Sequence, residues 1–442
     1  LVSVRITTMI AILLLPLFAS LSEAAPCGRV VGCYYPGYRS TALPPTNIDA
    51  NVCTHIIFAF AEYDAVNNRI TTTSDPNLFT QLSALKNRNP DLKLLISLGG
   101  EHVPSNVFQG LVATETKIQA FASTVVPFLQ THGFDGLDVD WEFPSSTDKT
   151  SFGLLLKNLR SSLGPSYLLT TAVTANYQTA QDCYPIADME RYLDYVFEMS
   201  YNFHGLWESK TGLNSPLTGP SGDPYTSEYI MAQWATLGIS KRKLVMGIPA
   251  YGPQWTLSTT SNGVNAPATP STYRLFSEIC AQNSSYTWVY DATYGGTYAY
   301  KGSDWVSMET PSMVARKAQF TIDNGYGGVM FWEIGQDDFS GRCNSGTFPL
   351  VRASKQKLCS GDIITSSTTR DSTTTTTRIS TTTTVRTSTT TTTRTSTTTT
   401  TRTSTTTTTR TSTTTTTRTS TTTTTRASTT TTTRASTTTT TR

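Results

Sequence analysis

The sequence predicts an α/β fold, a (β/α)8 barrel closed by eight parallel strands, and three observations carry that reading. Eight short apolar segments stand at 30–35, 55–61, 93–98, 136–140, 168–173, 195–199, 243–248 and 328–332, and eight is the number of strands that closes such a barrel. Segments between them repeat their apolar residues every three or four positions, as Phe121, Val125, Phe128 and Leu129 do, the spacing of a helix packed by one face. No glycine-rich loop follows the first segment, where a doubly wound nucleotide-binding sheet would carry one.

Residues 1–24 come first in the chain. Arg5, an apolar run from Met9 to Ala19 and small residues ahead of a cut after Ala24 form the pattern of a secretory signal peptide. The run is too short to span a bilayer, and Pro16 inside it disfavours a buried helix. No later stretch reads as a membrane span, so the protein is expected to be secreted and extracellular. The folded domain is expected at 25–360, with helices at 77–86, 114–131, 149–163, 227–237 and 312–323. About 252–310 departs from the repeat: it is rich in Tyr, Thr and Gly, and 286–290 and 296–300 read as short antiparallel strands.

From 361 to 442 the composition changes to Thr, Ser and Arg, with an arginine every eighth residue from Arg370 to Arg442. The repeat has no apolar face to bury and reads as disordered, either a plain linker or an O-glycosylated stalk. It carries ten arginines against Asp362 and Asp371, so the formal charge of +3 divides into +8 for the tail and −5 for residues 25–360, Arg5 and Glu23 cancelling. A mildly acidic folded part argues against a nucleic-acid partner.

Within the fourth strand, Asp135-Gly136-Leu137-Asp138-Val139-Asp140-Trp141-Glu142-Phe143-Pro144 is the stretch with chemistry in it. Side chains alternate along a strand, so Leu137, Val139 and Trp141 face one way and Asp138, Asp140 and Glu142 the other. Carboxylates about 6.6 Å apart in a poorly hydrated site disfavour one another's charge, which leaves a protonated acid beside ionised ones. That is the equipment of general acid catalysis. A calcium loop would need polar residues where Val139 and Trp141 stand. A solvated acidic edge would leave Gly136 and Pro144 without a reason.

This stretch resembles the DxxDxDxE signature of the family-18 glycoside hydrolases, the chitinases, usually written DGLDLDWEYP, with which it agrees at eight of ten positions. The resemblance covers 28–352 and implies a TIM barrel whose site lies at the C-terminal strand ends, with a small, here shortened, α+β insertion after the seventh strand. It implies that chitin or chitin oligosaccharides are the partner, with no cofactor and no metal, and that the protein acts as a monomer. Glu142 would be the proton donor, Asp140 would balance charge on the substrate's acetamido group, and Asp138 would share a proton with Asp140 and raise the pKa of Glu142. Tyr201 would donate to the acetamido oxygen and Trp332 would floor the sugar. Tyr35, Phe60, Gly99, Gly100, Met199, Asn202, Trp207 and Tyr251 would be further substrate contacts at strand ends. Three positions depart from the family: Asn202 for Asp, Glu101 for Trp and Pro253 for Arg. Rival readings are a sugar-binding lectin, whose members typically lack the acid that Glu142 provides here, and an endoglycosidase of N-linked glycans, which usually lacks the insertion.

Seven cysteines in an exported chain imply disulfides plus one free thiol, and sequence alone cannot pair them. The resemblance implies Cys33 with Cys53 and Cys280 with Cys343. Strand one pairs with strand eight in a closed barrel, which brings the chain ends together and suggests Cys27 with Cys359, leaving Cys183 free. Asn283-Ser284-Ser285 is a sequon for N-glycosylation. Since the sequence stops inside the repeat, the complete chain is expected to continue into a chitin-binding module that the repeat would tether. Removing 361–442 is expected to leave hydrolysis of short soluble oligomers unchanged; a rate that falls with the truncation would show that the repeat serves the site directly.

Overall fold

The computed structural model describes residues 27–359; the expected signal peptide at 1–24 and the repeat at 361–442 lie outside the described residues. Eight parallel strands close into a barrel: Val30–Pro36, His55–Asp64, Lys93–Gly99, Gly136–Asp140, Leu168–Val173, Tyr195–Glu198, Leu244–Pro249 and Gly328–Trp332. Closure is explicit in the register, since the first strand pairs with the second, Gly32 opposite His55, and with the last, Val30 opposite Gly328. A side chain on such a strand points either into the barrel or out toward the helices. The inward set includes Val30, Tyr34, Ile57, Ala59, Leu95, Phe197, Val245 and Met330, and the outward set packs with the helices into one large core.

The outer layer follows the apolar period. Its longest helix, Glu115–His132, starts where the Thr114 side chain accepts from Lys117 N and stops at Gly133 in the left-handed conformation. Phe121, Val125 and Leu129 on this helix, and Phe152 and Leu156 on Lys149–Leu163, are buried in the same cluster as Leu137 and Val139. Trp141 completes that face, stacked on Phe108 at 5.0 Å and tilted against Phe152 at 5.3 Å, with its Nε1 donating to Ser105 Oγ at 2.7 Å. Short helices at Ser105–Leu111, Tyr177–Cys183 and Ile186–Tyr192 are absent from the sequence reading because seven residues hold too few repeats to show a period.

Between the seventh and eighth strands the chain builds a separate five-stranded antiparallel sheet. Its spatial order is Ala268–Leu275, Tyr251–Leu257, Asp304–Ser307, Gly296–Lys301 and Thr287–Asp291. Trp255, Trp305 and Tyr298 form its own small core, with ring centroids 4.7 and 5.6 Å apart. Two of these strands were legible; the first two carry Pro253 and Pro270, which mask a strand pattern.

Three disulfides are present, Cys27–Cys359, Cys33–Cys53 and Cys280–Cys343, and Cys183 is free. Cys27–Cys359 joins residues 332 apart in sequence. A bridge over so long a loop restricts the unfolded chain strongly, so the double change Cys27→Ser with Cys359→Ser is expected to lower stability by about 2–4 kcal/mol. Chemical denaturation of both forms measures it, and equal midpoints would mean that barrel closure alone holds the ends.

Candidate active site

The fourth strand carries its carboxylates up the inside of the barrel. Asp138 is wholly buried, yet each oxygen is engaged: Oδ2 accepts from Tyr34 OH at 2.8 Å and from Ser97 Oγ at 2.7 Å, and Oδ1 from Thr170 Oγ1 at 2.6 Å. Register explains two of these partners, because Ser97 and Thr170 stand directly opposite Asp138 on the flanking strands. Burial pushes the Asp138 carboxyl upward while the three hydroxyls pull it back. Two residues higher, Asp140 is also buried, and its Oδ1 has no hydrogen-bond partner. Its pKa lies well above the ordinary carboxylate range, first through burial and then through the charges of Glu142, Asp138 and Glu101.

Glu142 stands at the rim, half-buried, with its pKa pushed up to about 7 by burial first and by Glu101 second. Asp138 is among the charges that act on Asp140, one step up the strand, and the second influence on Glu142 is Glu101, which the sequence reading did not give that part. Glu101 is exposed and follows Gly99 and Gly100, both at positive φ. A Cβ on Gly99 would lie 2.2 Å from Asp140 O, and one on Gly100 would lie 2.5 Å from the Phe60 ring. Only glycine fits this approach, which is closed by Gly100 N donating to Asp140 O at 2.8 Å.

Aromatic rings surround the acids. Trp332 stacks on Phe60 at 5.9 Å and leans on Tyr34 at 5.4 Å. Tyr201 is buried in the same inward cluster, against which Met199, Tyr251, Phe60 and Trp332 pack. Tyr251 lies edge-on to Tyr201 at 6.3 Å and donates from its hydroxyl to Asn202 Oδ1 at 2.8 Å. Two expected contacts stand apart. Tyr35 points outward into the helix-side core and donates to Leu43 O at 2.7 Å; strand alternation gives the inward place to Tyr34 instead. Trp207 lies over Gly205 and is 62% exposed. Asp135 is structural, accepting from Leu94 N at 2.7 Å and paired with Lys86.

The sequence profile of Glycosyl hydrolases family 18 matches residues 30–337. The chain belongs to this family. Chitotriosidase-1 of Mus musculus is 35% identical over 354 residues, 73% of this chain and 75% of that protein. Chitinase-3-like protein 2 of Homo sapiens is 34% identical over 343 residues, 71% and 87% of the two. Among solved structures, human YKL-39, described as a pseudo-chitinase with retained chitooligosaccharide binding properties, matches with a TM-score of 0.71 at 32% identity, over 75% of this chain and 99% of that one. Ostrinia furnacalis Group IV chitinase in complex with allosamidin matches with a TM-score of 0.70 at 31% identity, also over 75% and 99%. Family 18 thus includes both a chitinase and a pseudo-chitinase among the structures similar to this chain.

Ser97 and Thr170 are site residues that the sequence reading missed, and of the strand-end pair Tyr34-Tyr35 it gave the substrate contact to Tyr35, whereas Tyr34 is the one that reaches Asp138. Tyr34 was within reach, since it sits out of phase with Val31, Cys33 and Tyr35. Ser97 and Thr170 required the strand register. Asn283 is exposed in a short turn, Asn283–Ser285, where a glycan would have room. Because the Glu101 charge lifts Glu142, a carboxyl-carbon NMR titration is expected to place the Glu142 midpoint at about 7 in the parent and lower in Glu101→Gln. An unchanged midpoint would assign the whole effect to burial.

Proposed function

We propose that this chain is a chitinase that cleaves β-1,4 linkages between N-acetylglucosamine units with retention of configuration, the substrate's own acetamido group serving as nucleophile. The observation that supports it best is Glu142: a carboxyl at the barrel rim, held up to about 7, directly beyond two buried carboxyls. A rim carboxyl that still holds its proton in a large share of molecules at neutral pH can give it to the glycosidic oxygen. As the C1–O bond breaks, the acetamido carbonyl oxygen attacks C1 and a cyclic oxazolinium ion forms. Glu142, now ionised, takes a proton from the incoming water, whose oxygen attacks C1 and reopens the ring.

Asp140 suits the other end of the acetamido group. Its unpartnered Oδ1 is available to accept the acetamido N–H, and in its ionised form the carboxyl balances the positive charge that develops on the ring. Asp138, buried and held by three hydroxyls, supplies the fixed point beneath Asp140. Tyr201 donates to the acetamido oxygen, and the Trp332–Phe60 stack receives the apolar face of the sugar. Met199, Asn202, Tyr251, Gly99 and Gly100 shape the cleft around it. Three disulfides favour an oxidising compartment and support secretion; among the described residues no helix is long and apolar enough to cross a membrane.

Glu142→Gln keeps the shape of the side chain but cannot donate the proton, so hydrolysis of chitin oligomers is expected to vanish while oligomer binding stays within about tenfold. Asp140→Asn should also cut the rate severely. In the parent, kcat/KM should fall as pH rises through about 7, where Glu142 loses its proton. Product analysis on chitin oligomers and on a high-mannose glycoprotein checks the reading: binding without turnover would make the chain a lectin, and glycan release would make it an endoglycosidase.

A further inference from the structure

Behind Tyr201 lies a buried polar cluster to which the reaction gives no task. Lys317, on the helix Pro311–Asn324, is fully buried, and its ammonium donates to Glu309 Oε2 at 2.5 Å and to both O and Oγ of Ser215 at 2.6 Å. Ser215 Oγ donates in turn to Ser200 O, and Ser200 Oγ to Glu198. Glu309 and Glu198 are the carboxyls that act on Lys317, Glu309 through a direct hydrogen bond.

The neighbouring Asn214 holds the other side of the same turn. Its Oδ1 accepts from Asn202 N at 3.0 Å and its carbonyl from Phe203 N at 3.1 Å. Its Nδ2 donates to Tyr251 O at 2.9 Å, and its own N donates to Ser307 Oγ at 2.8 Å. Tyr201 is therefore gripped through the peptide groups on either side of it, at Ser200 O and Asn202 N, by two consecutive residues. Asn202 also sits in the left-handed region, φ 58°, a conformation that needs such support. An ammonium with three fixed acceptors defines a position more sharply than an apolar side chain can.

We propose that Lys317 is a positioning residue that acts through Ser215 to fix the turn at 200–202, and with it the Tyr201 hydroxyl. The inference rests on the role given to Tyr201 in the proposed reaction. A hydroxyl that stabilises the acetamido oxygen as it attacks acts on kcat more than on KM, and a displacement of about 1 Å at such a group can cost a hundredfold.

The test is a double-mutant cycle on the full chain, reading kcat and KM on chitin oligomers for the parent, Ser215→Ala, Lys317→Met, Tyr201→Phe and the two combinations. Ser215→Ala leaves the Lys317–Glu309 pair in place, so it keeps the test alive if Lys317→Met does not fold. Expected is a fall in kcat of about tenfold for Ser215→Ala, with KM within about twofold, and no further fall when Tyr201 is already Phe. Equal fractional losses in both backgrounds, or no loss in either, would overturn the positioning role while the Tyr201→Phe deficit still stood. Parental kcat in Tyr201→Phe would overturn the role of Tyr201 and this inference with it, and an inactive parent would overturn the reaction itself.

Discussion

Everything at the mouth of this barrel depends on how one buried carboxyl is satisfied. Asp138 lies inside a closed ring of strands, where an unpaired charge would cost several kcal/mol, and it is held by hydroxyls from the first, third and fifth strands. Those donors are used up on Asp138. Asp140, one pleat higher, is buried without a donor on Oδ1, and Glu142, one pleat higher again, reaches the rim. A single strand thus carries three carboxyls through a gradient of solvation. The lowest is compensated, the middle one is left short of partners, and the outermost is half in water. Their different acidities follow from position along the strand rather than from residue type, two of the three being aspartates.

Much of this gradient could be read in the sequence. Period-two alternation places Asp138, Asp140 and Glu142 on one face and Leu137, Val139 and Trp141 on the other, and all eight barrel strands appear as apolar segments whose ends fall within a few residues of the observed ones. What escaped depends on pairing between strands distant in the chain. Ser97 and Thr170 are ordinary strand residues until the register sets both opposite Asp138. Glu101 looked like a lost aromatic contact, and the Gly99-Gly100 approach to Asp140 O makes it an electrostatic neighbour of Glu142. Tyr35 was the error that sequence could have avoided, since the alternation applied to the fourth strand also applies to the first and selects Tyr34.

The insertion also reaches the Tyr201 turn. The end of its central strand supplies Ser307 to Asn214, and the segment just after it supplies Glu309 to Lys317. The Tyr201 turn is thereby fastened to the insertion on one side and to the helix Pro311–Asn324 on the other. Cys280–Cys343 ties the helix within the insertion to the segment after the last strand. Sequence separations near one hundred residues, as between Ser215 and Lys317, are invisible to any local pattern and are set only when the barrel closes.

Sugar binding and sugar cleavage make different demands on such a scaffold. On the proposed reading, the aromatic floor of Trp332 and Phe60 and the close approach of Gly99 and Gly100 would hold an acetamido sugar whether or not an acid stood at position 142. Binding uses surface and hydrogen bonds that are complete in the ground state, whereas cleavage needs a proton available at the pH of the medium and a charge placed where one develops. A carboxyl left in water at the same point would be ionised and would donate nothing. Partial burial beside Glu101 bears on that difference here, because it pushes the Glu142 carboxyl up to about 7 while leaving it half-exposed at the rim.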